Sequence, residues 1–251
     1  MSFPVYLRLG PVSIHPHWVF ESLAYLVGFR VYLQLRKAQG DALNDETRGW
    51  VIAAAILGAA LGSKLLFWLA DPLLAFERRH DAVYLMSGKS IVGALAGGVM
   101  AVEGAKRWLG IHRKTGDLFA LPLAVGLAIG RVGCFLSGLD DHTHGLPTRL
   151  AWGIDLGDGV MRHPTTLYES GFALLLALAL HRFSRLPHRE GDVFKVFMIG
   201  YMGFRLALEF IKPRILFAGL SSIQWVCLAA LFYYRKDIAR LLRRESAVSD
   251  G

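Results

Sequence analysis

Seven apolar stretches divide this chain, at approximately 17–35, 50–70, 88–105, 117–138, 166–182, 193–211 and 218–234. Each approaches the roughly 20 residues that a bilayer-spanning helix needs. Hydrocarbon offers the backbone no hydrogen-bond partner, so a segment that enters it must satisfy its own amides, and these segments are expected to be helices. Composition agrees, with 54% hydrophobic residues, 19% charged residues and a mean hydropathy of +0.40. These values suit a polytopic membrane protein better than a soluble domain. No polar stretch is long enough to form an independent domain, and no Pro/Gly/Ser-rich linker separates two halves. Residues 1–251 are therefore expected to form a single polytopic, all-α integral membrane domain with about seven transmembrane helices. The first apolar run lacks a basic leader, so it is expected to remain rather than be removed as a signal peptide.

The formal net charge of +8 raises the question of nucleic acid. The basic residues, however, fall in short clusters between apolar segments, where they set topology and meet anionic lipid, so no nucleic-acid partner is expected. Arg36, Lys37 and Arg48 follow the first segment, and Lys106, Arg107, Arg113 and Lys114 follow the third. Arg182, Arg185 and Arg189 follow the fifth, and Arg235, Lys236, Arg240, Arg243 and Arg244 follow the last. The positive-inside rule then places the N-terminus outside and the C-terminus in the cytoplasm, with a larger outer loop at about 139–165. The terminal RKDIARLLRRES has amphipathic spacing and is expected on the inner surface. Small residues on the second span (Ala53, Ala54, Ala55, Gly58, Gly62) and the third (Gly93, Gly97, Gly98, Gly104) invite close backbone packing, since lipid supplies no hydrophobic drive for helix association. Cys134 and Cys227 both lie in apolar segments, which argues against a disulfide.

An ionisable side chain inside a span costs about 2.5 kcal/mol or more on insertion scales, so each needs a partner or a wet cavity. The chain has Glu21, Lys64, Lys89, Glu103, Arg131, Glu169, Arg205 and Glu209 at such positions. Glu103, close to Lys106 and Arg107, reads as a local ion pair at a span end. Arg131 and Arg205 read differently, because further polar groups accompany them. In YMGFRLALEF, Tyr201, Arg205 and Glu209 recur at i, i+4 and i+8, which makes one polar stripe on an apolar helix. Arginine is always charged and can hold two oxygens at once, so two arginines at membrane level point to an anionic lipid headgroup. GxGxxG, Walker, HExxH and GxSxG patterns are absent, and no cofactor is expected.

The blocks GLAIGRVGCF (126–135), RHPTTLYE (162–169), YMGFRLALEFIKP (201–213) and LSSIQW (220–225) resemble, in order, the signature blocks of bacterial prolipoprotein diacylglyceryl transferases. GPVSIHPHWVFESLAYLVGF and GSKLLF resemble that family's first two membrane segments, so the resemblance covers nearly the whole chain. It implies a multi-pass protein of the bacterial cytoplasmic (inner) membrane that moves diacylglyceryl from phosphatidylglycerol to the lipobox cysteine of a secreted precursor, releasing glycerol 1-phosphate. The partners it implies are phosphatidylglycerol or another anionic phospholipid, the precursor protein and the bilayer. On this resemblance Arg131 and Arg205 match the essential arginines, Tyr201 and Glu209 match their supporting residues, and Gly130 and Gly133 match the signature glycines. Lys64, Lys89, Asp140, Arg162, His163, Tyr168 and Glu169 are expected to join the glycines in lining the substrate.

The chain also departs from the family. Val92, Gly93 and Ala94 stand where the family carries a His-Gly-Gly block, so its histidine is absent, and Glu21 stands in place of a tyrosine. Cys134 and Ser137 replace asparagines, the following acidic position falls near Leu139, and Lys64 replaces an arginine. A substitute base is sought among Glu21 and the loop cluster Asp140, Asp141 and His142, with His144 and His163 also nearby. DDHTH has residue types that suit a divalent cation but no established ligand spacing, so no metal is expected there. Cys134, in an apolar segment, reads as a protonated and inert thiol. Two further functions stay open beside the leading one: a related lipid transferase with another acceptor or donor, and a non-catalytic phospholipid-binding or lipid-moving protein. In DLGDGV, Asp158-Gly159 suggests a hairpin tip.

Overall fold

The computed structural model describes residues 3–249, and each of the seven apolar segments forms a helix in it. They correspond to α1 (Pro16–Gln39), α2 (Asp45–Ala70), α5 (Ile91–Trp108), α6 (Asp117–Ser137), α7 (Thr165–Phe183), α8 (Asp192–Leu208) and α9 (Ser222–Tyr233). Two short helices, α3 (Pro72–Glu77) and α4 (Ala82–Ser87), sit between α2 and α5, and the amphipathic tail forms α10 (Arg235–Ser249). Local chemistry sets several starts. Asn44 caps α2 by accepting from the Thr47 amide at 2.8 Å, Ser90 accepts from the Gly93 amide at the head of α5, and Ser221 with Gln224 forms a capping box on α9.

Among the described residues, Asp45–Ala70 and Asp117–Asp141 are long and apolar enough to cross a membrane by length and composition, each with a hydropathy of 1.9. The expected number was about seven. The others are shortened or interrupted by charge: α9 has 12 residues, and α8 has 17 and carries Asp192, Lys195 and Arg205. The chain is predominantly helical, consistent with the expected all-α fold, and carries two small antiparallel hairpins. They are β1 (Leu7–Leu9) with β2 (Val12–Ile14), and β3 (Ile154–Asp155) with β4 (Met161–Arg162). Asp158 and Gly159 lie in the turn of the second hairpin, and Asp155 Oδ1 accepts from the Gly157 and Gly159 amides at 2.8 and 3.0 Å.

The chain forms two compact units. In the first, up to Gly40 plus Thr115–Pro213, α1 and α6 run antiparallel. A β-carbon on Gly28 would lie 3.3 Å from the Pro122 carbonyl, and one on Gly133 would lie 2.6 Å from Phe20 Cβ. Gly133 thus lets the start of α1 close on the end of α6. Tyr32 stacks on Phe119 at the other end, with ring centroids 5.0 Å apart. α7 joins this pair through Ser170, whose hydroxyl donates to the Ala128 carbonyl at 2.7 Å, and Phe172 stacks on Phe204 of α8 at 4.0 Å.

The second unit, Asp41–Lys114 and the residues from Arg214 on, is built on the crossing of α2 and α5. A β-carbon on Gly62 would stand 2.3 Å from the Gly93 carbonyl oxygen, and one on Gly97 would stand 2.3 Å from that of Gly58. The small-residue expectation holds at these four glycines. Gly98 is looser and Gly104 has open space around it. Glu103 and Lys106 pair at 2.8 Å as expected.

Large apolar side chains are exposed along these helices, including Trp18, Leu26 and Phe29 on α1, Leu57 and Leu61 on α2, and Leu175 on α7. Exposed apolar side chains in such number mark a surface whose solvent is lipid.

Candidate active site

Arg131 on α6 is 6% exposed, and Glu169 in the second turn of α7 is 1% exposed. Arg131 Nε lies 2.9 Å from Glu169 Oε2 and Nη2 lies 3.1 Å from Oε1, so the guanidinium grips the carboxylate with two of its nitrogens. The Tyr201 hydroxyl donates to the same Oε1. Glu169 is therefore the shared acceptor that fixes both α6 and α8 side chains.

Tyr201 and Arg205 lie on one face of α8, and Glu209 follows in a 3-10 turn (Glu209–Ile211). Arg205 Nη1 is nonetheless 3.0 Å from Glu209 Oε2, and both residues are buried. Lys212, which the sequence reading passed over, is buried just beyond. Burial, and then the positive charges of Arg205 and Arg131, pull its ammonium down to about 7 from the usual lysine value. Arg131, Arg205 and Lys212 thus lie together with the carboxylates of Glu169 and Glu209, and Asp141 adds a further negative charge that acts on Arg131.

A second cluster lies one helical turn along α6. Cys134 Sγ is 3.6 Å from Arg131 Nη1, Asp141 Oδ1 is 2.9 Å from His17 Nδ1, and His17 Nε2 is 3.4 Å from Glu21 Oε2. Glu21 and Asp141, two of the groups considered as a substitute base, thus converge on a histidine that the sequence reading did not single out. The polar HPH at 15–17 opening an apolar run was the signal available. Asp140 and His142 do not join them: both are exposed, and His142 takes a left-handed conformation with φ 53° that turns the chain back. Neither DDHTH as a block nor its histidines gather at Arg131.

The remaining expected residues separate. Gly133 makes the tight contact described above, whereas a β-carbon on Gly130 would have ordinary room, 3.9 Å from Ala24 Cβ. His163 Nδ1 lies 3.5 Å from the Tyr168 hydroxyl, which accepts from Trp152 Nε1 at 2.7 Å. Arg162 pairs with Asp158 at the hairpin. A water-sized cavity of about 10 Å³ is lined by Cys134, His144, His163 and Thr165 among others. Burial and the charges of Arg162 and Lys212 hold the His144 ring below the usual histidine range. Lys64 and Lys89 belong to the second unit, where Lys64 Nζ donates to the Met86 and Gly88 carbonyls.

Buried arginine–carboxylate pairs within a unit of apolar helices mark a membrane-associated protein. The family model for prolipoprotein diacylglyceryl transferase matches residues 4–234. The phosphatidylglycerol–prolipoprotein diacylglyceryl transferase of Bordetella parapertussis is 34% identical over 245 residues, covering 89% of each chain. Those of Cupriavidus metallidurans and Cupriavidus pinatubonensis are each 32% identical, covering 90% and 97% of this chain and 88% and 92% of theirs. The chain belongs to the prolipoprotein diacylglyceryl transferase family. Membership supports an enzyme of the diacylglyceryl-transfer type that acts at the membrane on phospholipid and protein substrates.

Proposed function

We propose that this protein transfers the diacylglyceryl group of phosphatidylglycerol to the lipobox cysteine of a precursor protein and releases glycerol 1-phosphate. The observation that carries this reading is the gathering of three buried cations, Arg131, Arg205 and Lys212, around the carboxylates of Glu169 and Glu209 that position them. Thiolate sulfur attacks the glyceryl carbon next to the phosphate ester, the carbon–oxygen bond breaks, and the phosphodiester monoanion becomes a phosphomonoester dianion. Negative charge therefore grows on the phosphate at the transition state, where preorganised cations stabilise it most. Arg131 engages Glu169 through Nε and Nη2 and approaches Cys134 through Nη1, and the N–H groups left over on its guanidinium are the donors for phosphate oxygens in this reading. Glu169 and Tyr201 position that guanidinium, and Glu209 positions Arg205.

In this reading the chain crosses the bacterial cytoplasmic membrane about seven times, with its N-terminus outside and the Arg131 site near the outer face. Seven apolar segments that each form a helix, and the alternation of basic loops, support it. The test is to incubate purified protein with labelled phosphatidylglycerol and a lipobox peptide. Lipidated peptide and glycerol 1-phosphate in equal amounts are expected. Failure to form either product from any anionic phospholipid would refute the assignment.

A further inference from the structure

The His17, Cys134 and Asp141 cluster has the chemistry of a metal site. Each residue offers one donor atom, an imidazole nitrogen, a sulfur and a carboxylate oxygen, and the three lie within 4.8 Å of one another. Ligand atoms around a four-coordinate ion of zinc's size stand roughly 3.5 Å apart, a difference that side-chain rotation closes. The positions beyond the donors are also filled. Glu21 Oε2 stands 3.4 Å from His17 Nε2, leaving Nδ1 for the cluster. Thr143 Oγ1 donates to Asp141 Oδ2 at 2.6 Å, leaving Oδ1, and Arg131 Nη1 approaches Cys134 Sγ at 3.6 Å. A carboxylate behind the histidine and hydrogen bonds behind the other ligands form the outer shell that orients and tunes metal ligands.

We propose that His17, Cys134 and Asp141 bind one divalent ion of the zinc class and leave a fourth position for the acceptor thiol. Charge supports this: a neutral imidazole, a thiolate and a carboxylate balance a dication, while Arg131 is already balanced by Glu169. The His17 side chain is 30% exposed, which gives the ion and the acceptor a way in. A thiol that coordinates such an ion gives its proton to water and is held as a thiolate at neutral pH. The acceptor role rests on the transfer reaction proposed above, whereas the ion site stands on its own geometry.

Full-length protein in detergent, stripped with chelator, is titrated with cobalt and separately with zinc. One equivalent of cobalt, with a near-ultraviolet thiolate-to-cobalt absorption band on the wild-type protein, is the expected result. Cys134→Ser should abolish the band, and Glu21→Gln, which spares all three ligands, should weaken affinity by about 10- to 100-fold. A wild-type protein that binds no cobalt, or binds it without the thiolate band, overturns the site. Chelation should also stop peptide lipidation and zinc should restore it; full-rate transfer by metal-free protein overturns the acceptor role. Absence of transfer in both forms, with the cobalt band present, would count against the proposed reaction and still support the site.

Discussion

Removing one member of a buried ion pair strands the other, and this decides how Arg131 must be tested. Arg131→Ala removes the paired guanidinium of Glu169, which is 1% exposed, and breaking a buried pair typically costs about 3–5 kcal/mol. Arg131→Ala and Arg205→Ala are each expected to lower transfer at least about 100-fold per folded molecule, since each removes a cation at developing charge. The double variant Arg131→Ala/Glu169→Ala separates folding from chemistry. Its melting temperature should recover relative to Arg131→Ala while transfer stays lost, and recovery of transfer would refute the phosphate role.

Lys212 gives a pH signature at the same scale. Its ammonium titrates at about 7 in the folded protein, so the free site loses positive charge as pH rises through that value. Equilibrium binding of glycerol 1-phosphate should weaken above pH 7, and Lys212→Arg should flatten the profile. The stability consequence has the opposite sign. A lysine in the unfolded chain titrates near ~10.4, so between the two values the unfolded state binds more protons and this group's contribution rises with pH. A binding profile unchanged in Lys212→Arg would remove Lys212 from the anion site.

At the scale of elements, glycine decides where helices touch. The α2–α5 crossing brings backbone to backbone at Gly58, Gly62, Gly93 and Gly97, with no flexible side chain to yield. Gly62→Leu or Gly97→Leu should therefore destabilise the protein, with a lower melting temperature in detergent. Gly104→Ala, with open space around it, should be neutral or slightly stabilising because alanine favours helix. Equal behaviour at Gly62 and Gly104 would contradict the crossing.

The helices and these glycines were legible in the sequence because hydrophobic runs and small-residue spacing are local patterns. The Asp158-Gly159 turn was legible for the same reason. The Tyr201–Arg205–Glu209 stripe was also read correctly as one face, although Glu209 reaches Arg205 from a 3-10 turn rather than from the helix. What could not be read was register between helices. Glu169 meets Arg131 and Tyr201 across 38 and 32 residues, and His17 meets Asp141 from the far end of the first unit's sequence. No periodicity within one segment carries such information. Lys212 was hidden differently, since a lysine at the end of an apolar run reads as a side chain reaching for water, and only packing shows it buried.

For the whole molecule, the question is which ends of the helices face which side of the membrane. α7 has 19 residues, which at the helical rise spans about 28 Å, close to the thickness of a hydrocarbon core. It connects two different kinds of chain. Before it lies the outer-loop candidate with the exposed His142; after it lie Arg182, Arg185 and Arg189, with the exposed Pro187 among them. Basic residues are retained on the cytoplasmic side, so the segment after α7 should lie inside and the segment before it outside. Not every basic residue contributes equally to that bias. Arg48 is engaged by Asp41 and Lys106 by Glu103, whereas Arg182, Arg185 and Arg189 are exposed. Both native cysteines are buried, so they contribute little background to thiol labelling. Cysteines introduced singly at His142 and Pro187 should react with a membrane-impermeant maleimide from opposite faces, position 142 in intact cells and position 187 only after permeabilisation. Labelling of both from the same face would mean that α7 does not cross the bilayer, and would remove both the seven-span topology and the outer placement of the Arg131 site.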